Sequence, residues 1–76
     1  MANRPKHISD VQRLMGLGRP EVNKSLGQPG EVLRSSQLIE VYYLNDQGPN
    51  NPEPTPVRYK LIYDAQNRLV GLEKDK

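Results

Sequence analysis

A chain of 76 residues with a net charge of +2, 34% hydrophobic residues and no cysteine is one small domain with an economical core. Those values exclude disulfides, zinc-thiolate sites and thiol nucleophiles, and the single histidine, His7, excludes a His-rich metal cluster. No stretch approaches the roughly 20 apolar residues of a membrane-spanning helix, and the opening MANRPKH does not read as a secretion signal.

The charge is unevenly spread. Residues 1–34 carry six basic and three acidic side chains, and residues 35–76 carry five basic and six acidic ones. An excess of three positive charges near one end suits an anionic lipid surface, or a simply solvated face. It falls short of the concentrated basic stripe that nucleic-acid binding demands.

In chain order, residues 1–8 contain Pro5 and few apolar groups and are expected to form a flexible lead-in. A single domain then spans 9–73, followed by a short tail, 74–76. The first helix starts at Ser9, whose hydroxyl can cap the backbone N–H of Gln12 in an S-x-x-Q capping box, with Asp10 favouring the helix dipole. Gly16 and Gly18 end it after about two turns, a length that is unstable alone. The second helix covers 19–26, with Pro20 in its first turn, Val22 and Leu26 on one face, Gly27 as a left-handed stop and Pro29 just beyond.

Both helices need an apolar sheet beneath them. Residues 31–35 and 37–44 flank a Ser35-Ser36 turn and read as a hairpin. The segment GPNNPEPTP, residues 48–56, holds four prolines and no apolar residue, so it is a connection and not a central strand. Val57, Tyr59, Leu61 and Tyr63 then alternate with Arg58, Lys60, Ile62 and Asp64, the pattern of a strand with one buried face. Asp64-Ala65-Gln66-Asn67 closes a second hairpin, with Asn67 suited to positive φ, and 68–72 returns. The expected fold is α+β: two short N-terminal helices packed on a three- to four-stranded antiparallel sheet, a two-layer sandwich. Val11, Leu14, Val22 and Leu26 would pack on Tyr59, Leu61 and Tyr63, assisted by Val41 or Tyr42 according to register.

The residues carry little chemistry. The nine carboxylates are scattered, and His7, in the lead-in, lacks an orienting partner. Asp46, Glu53 and the asparagines between them lack an EF-hand pattern, and G-L-G-R-P is no phosphate loop. No catalytic residue, cofactor site or metal site is expected, and the chain is not an enzyme on this reading. Surface recognition remains. Pro49, Pro52, Pro54 and Pro56 form either a preformed polyproline docking edge or a stiff spacer. Arg58 and Lys60 share a face with Ile62 and could meet a partner, lipid headgroups or solvent. Tyr42 and Tyr43 point to opposite faces, so one of them stands outside the core as a potential anchor. The candidate partner- or lipid-contacting residues are Tyr42, Arg58, Lys60, Ile62, Pro52 and Pro54.

Two segments together carry a resemblance. One is D-V-x-R-L-x-G-L-x-x-x-E-V-x-x-x-L-G-x-P over residues 10–29; the other is L-I-Y-D-A-Q-N-R-L-V-G-L over 61–72. In this order, with Val41-Tyr42-Tyr43 and a variable polar loop at 45–56 between them, the chain resembles the SmpA/OmlA (BamE-like) outer-membrane lipoprotein family. Gly18 stands where that family often has Thr, and Asn67 replaces a common Gly. The resemblance implies a non-enzymatic adaptor in outer-membrane β-barrel assembly. It also implies contacts with other assembly proteins and anionic phospholipid, at the periplasmic face of the outer membrane. The family's signal and lipid-bearing Cys are not among these residues, so either a lipidated precursor supplies them or the chain is a soluble relative that never reaches a membrane. The helix–helix–sheet layout is also similar to that of the β-lactamase inhibitory proteins, which implies a protein-inhibitor or general binding module as the alternative.

Overall fold

The computed structural model describes residues 6–48 and 55–75. It is a small α+β domain: helix α1 (Ile8–Gln12), helix α2 (Arg19–Leu26), then strands β1 (Glu31–Arg34), β2 (Leu38–Leu44), β3 (Val57–Tyr63) and β4 (Leu69–Lys74). The strands form one antiparallel sheet in the order β1-β2-β3-β4, so each strand pairs with its neighbour in sequence.

Alternation decides which side chains the helices cover. Tyr42 pairs with Tyr59, Glu40 with Leu61 and Leu38 with Tyr63, all on the side facing the helices. Val11, Leu14 and Val22 from the helical region join Tyr42, Leu44, Tyr59, Leu61, Tyr63 and Leu69 in one core, with Ile8, Leu26, Leu38, Val57 and Leu72 packed around it. Of the two candidates for the core position on β2, Tyr42 takes it. Val41 faces the opposite side.

The last strand departs from strict alternation. A bulge between Ile62 and Tyr63 shifts the register, so that Tyr63 pairs with Leu69, Ile62 with Gly71 and Leu61 with Leu72. Leu69 and Leu72 thereby both reach the core, while Val70 is the extra residue and stays exposed. This explains why L-V-x-L has no two-residue period.

The turn between β3 and β4 forms around Asn67, which adopts φ 61°. The Asp64 carboxylate accepts from the backbone N–H of Gln66 and of Arg68, both at 2.9 Å. We expect Asn67→Gly to leave stability nearly unchanged. Asn67→Val, whose branched Cβ clashes in the left-handed region, should cost about 1–2 kcal/mol and lower Tm by roughly 4–16 °C in a calorimetric scan.

The link between the helices also serves the sheet. Gly16, at φ 85°, donates its N–H to the Leu69 carbonyl at 2.7 Å, and the Leu69 N–H donates to the Leu17 carbonyl at 2.9 Å. The Arg19 N–H reaches the Asn67 carbonyl at 2.9 Å. The link therefore covers the start of the β4 edge and ties both helices to the second hairpin. The tripeptide β1 leaves behind, Ser35-Ser36-Gln37, closes the first hairpin.

The N-terminal region differs from expectation. The cap of α1 is His7 and not Ser9, and the reciprocal partner is Asp10 and not Gln12. Residues 6–8, assigned above to the lead-in, run beside Asn45: its N–H donates to the Lys6 carbonyl at 2.8 Å, and the Ile8 N–H donates to its carbonyl at 3.0 Å. The gain is burial of Ile8 against the core, which a helix starting two residues later would forgo.

Candidate functional site: the outward face of the sheet

The two faces of the sheet have different chemistry. On the helix side lies Glu40, in phase with Leu38, Tyr42 and Leu44 and 0% exposed. Its carboxylate accepts from Arg19 Nε at 2.7 Å, from Asn23 Nδ2 at 2.9 Å and from the Tyr63 hydroxyl at 2.7 Å. Asn23 Nδ2 also donates to the Tyr42 hydroxyl at 2.9 Å, and Tyr42 in turn donates to the Gly27 carbonyl at 2.8 Å. These bonds staple α2 to β2 and β3 and satisfy the C-terminal end of α2. Burial, then the Glu40 charge, pushes the Tyr42 phenol up to about 12, against the opposing pull of Asn23 and Arg19. Burial first, then the hydrogen bond to Glu40, raises Tyr63 further still. Burial and the hydrogen bond to Asp46 raise Tyr59 as well.

All members of this network are bound to one another, and every buried side-chain polar atom among the described residues has a hydrogen-bond partner. A buried cluster whose polar atoms are all partnered is a structural device. Sequence reasoning overlooked it. The available signal was one carboxylate at an inward position of an otherwise apolar strand face, with Arg19 and Asn23 four apart on the helix above.

The outward face has no second layer among the described residues. It carries Leu33 of β1, Ile39, Val41 and Tyr43 of β2, Arg58, Lys60 and Ile62 of β3, and Gly71 of β4, as the pairings Leu33–Ile39, Ile39–Ile62, Val41–Lys60 and Ile62–Gly71 require. Arg58, Lys60 and Ile62 thus share one face, the placement the alternation predicts. Tyr43 is 54% exposed and is the outward tyrosine. Tyr42, named above as a contact residue, is 5% exposed on the opposite face and is corrected to a core residue. Its position on the same side as Leu38 and Leu44 is the cause. Pro52 and Pro54 lie outside the described residues.

Arg58 is not a loose cation. It bonds Asp75 through Nε and Glu31 through Nη2, the latter at 2.7 Å, spanning from β3 to both edges of the sheet. Its hydrogen bonds to Asp75, then Glu31, then Tyr43 raise it above its ordinary range, and the reciprocal bond holds Asp75 below the usual carboxylate range. Val41 is fully buried between its cross-strand neighbours Glu31 and Lys60, although no other layer lies above it among the described residues. Long side chains therefore roof one end of the face, while Leu33, Ile39 and Ile62 remain half-buried at the other. Lys60 forms no ion pair among the described residues.

Elsewhere the surface is poor in chemistry. A hollow of about 410 Å³ lies between the two hairpin tips, lined by Arg34, Gln37, Asp64 and Asn67 among others. A second of about 290 Å³ lies between the helices beside Asp10, Arg13 and Leu26. Among the described residues no group of three or more His, Cys, Asp or Glu side chains could hold a metal ion. No helix among them is long and apolar enough to cross a membrane. Comparison with known proteins gives no matching family model, curated protein or solved structure.

Proposed function

We propose that this chain is a non-enzymatic binding domain whose working surface is the outward face of the sheet. The observation that carries the reading is the contrast between the faces. One is sealed by helices and a fully bonded polar network. The other presents half-buried Leu33, Ile39 and Ile62 beside exposed Tyr43 and Lys60, a cation in no ion pair among the described residues. An aromatic anchor next to aliphatic side chains and a rim of charge is the composition of a docking surface.

The resemblance to the SmpA/OmlA family supports a finer reading: an adaptor in outer-membrane β-barrel assembly, held at the periplasmic face of the outer membrane through a lipidated precursor. Protein partners suit this face better than anionic lipid does, because Glu31 and Asp75 neutralise Arg58 and leave Lys60 as the only unpaired outward cation among the described residues. The β-lactamase-inhibitor-like alternative uses the same face. A single outward tyrosine among the described residues favours it less.

The test is retention of the chain on purified, immobilised β-barrel assembly complex. Wild type should bind, and Tyr43→Ala combined with Ile62→Asn should lower affinity by at least tenfold, roughly the loss of one hot-spot contact, with an unchanged circular dichroism spectrum. Retention unaffected by the double variant would remove the outward face from the reading. Absence of wild-type binding would remove the assembly assignment.

A further inference from the structure

We propose that β1 is a self-pairing edge: two copies of this chain join their β1 strands antiparallel about a two-fold axis at Leu33, merging two four-stranded sheets into one. The composition of β1 carries the inference. Each of β2, β3 and β4 sends side chains into the core or onto its rim, and β1 sends none. Yet its two central residues are apolar. Val32 is 38% exposed on the helix side of the sheet, and Leu33 lies half-buried on the outward side. On both sides, this strand carries an apolar residue that its own domain covers incompletely.

The two edges of the sheet are protected differently. At β4 the link between the helices covers the start of the edge, through the Gly16–Leu69 and Leu69–Leu17 backbone bonds and the bridge of Gly18 to Arg68. A bulge also shifts the pairing of β4 with β3. β1 pairs with β2 without a register shift, holds no proline, and carries charge only at its ends, Glu31 and Arg34. An edge strand without cover, bulge or proline presents a row of backbone donors and acceptors to another strand.

Symmetry then selects the register. Residues directly opposite in an antiparallel pair lie on the same side of the sheet, and a two-fold axis normal to the sheet preserves those sides. The axis must therefore pass through a residue position, and β1 offers four. Centring on Glu31 or Arg34 sets two like charges against each other. Centring on Val32 sets the Glu31 carboxylate against Leu33 of the second copy. Centring on Leu33 brings the two Leu33 side chains together on the outward side. On the other side it lays the alkyl stem of Arg34 along Val32 of the second copy. Arg34 has no ion pair to break among the described residues. The outward row Leu33–Ile39–Ile62 then continues into the same row of the second copy. The pairing leaves the outward face open, so it stands whether or not a partner docks there.

The experiment is sedimentation equilibrium of the full chain, with circular dichroism as the folding control. A pairing this short falls below the standard interface size, so a monomer–dimer equilibrium with Kd on the order of 0.1 mM is expected. Leu33→Lys and Leu33→Glu should each stay folded, because Leu33 lies outside the core. Each alone should raise Kd by about tenfold or more, since like charges then meet across the axis. An equimolar mixture of the two should dimerise again, because position 33 meets position 33 and Lys faces Glu. A wild type that is monomeric at about 1 mM overturns the proposal. It is overturned equally if β1 amides of that monomer shift on adding β-barrel assembly complex, which would give the edge to another protein's strand. Undiminished dimerisation of the two variants overturns it, and so does a mixture that stays monomeric.

Discussion

Glu40→Ala should destabilise the domain by about 3–4 kcal/mol, the range expected when one partner of a buried charged network is removed. The substitution leaves the Tyr63 hydroxyl, 0% exposed as a residue, without its acceptor and releases Arg19 and Asn23 from β2. A 76-residue domain has a total stability of roughly 4–11 kcal/mol, so the variant sits close to unfolding. Glu40→Gln keeps the shape and one acceptor oxygen but turns an N–H toward Arg19 Nε, and a loss of about 2 kcal/mol is expected. Urea titration followed by circular dichroism reads both values from the midpoint shift. A wild-type midpoint for Glu40→Ala would mean that the helices are held by apolar contact alone.

Alkaline unfolding is the second large effect. The Tyr42 phenol has a folded-state value of about 12 against 10 for an unperturbed tyrosine, and Tyr63 and Tyr59 are raised too. A raised value favours the neutral form in the folded state. The contribution is therefore complete below pH 10 and is lost as pH rises from 10 through 12, where the unfolded chain releases protons that the folded chain retains. For Tyr42 alone the loss is on the order of 2–3 kcal/mol. Tyrosinate absorbance and loss of circular dichroism should rise together in this window. In Tyr63→Phe the baseline stability should be lower and the alkaline loss smaller, because one deeply buried phenol is gone and Glu40 keeps two donors. Tyrosinate absorbance from all four side chains appearing while the far-ultraviolet spectrum stays native would contradict the buried network.

Much of the layout was legible in the residues. Pro20 and Gly27 bracket the second helix, the 57–63 alternation marks the strand that lies inward through Tyr59, Leu61 and Tyr63, and Asn67 announces its turn. Arg58, Lys60 and Ile62 fall on one side for the same reason. Two features escaped. The start of α1 was displaced because a histidine rarely caps a helix, and the competing S-x-x-Q box was locally sound; burial of Ile8 and pairing with Asn45 outweighed it. The assignment of Tyr42 and Tyr43 depended on which series of β2 faces the helices, and Glu40 obscured that choice. A carboxylate in the inward series argues for placing that series outside, until Arg19, Asn23 and Tyr63 are seen to gather on it from elements 17 to 23 residues away. Local patterns do not contain such distant compensation.

The central claim is that recognition occurs on the uncovered side of the sheet. Chemical-shift mapping of isotopically labelled chain against purified β-barrel assembly complex addresses it most directly. The account predicts that perturbed amides concentrate at Leu33, Ile39, Tyr43, Lys60, Ile62 and Gly71. A bound complex whose perturbations gather instead on α1 and α2, with those six positions unmoved, would contradict it.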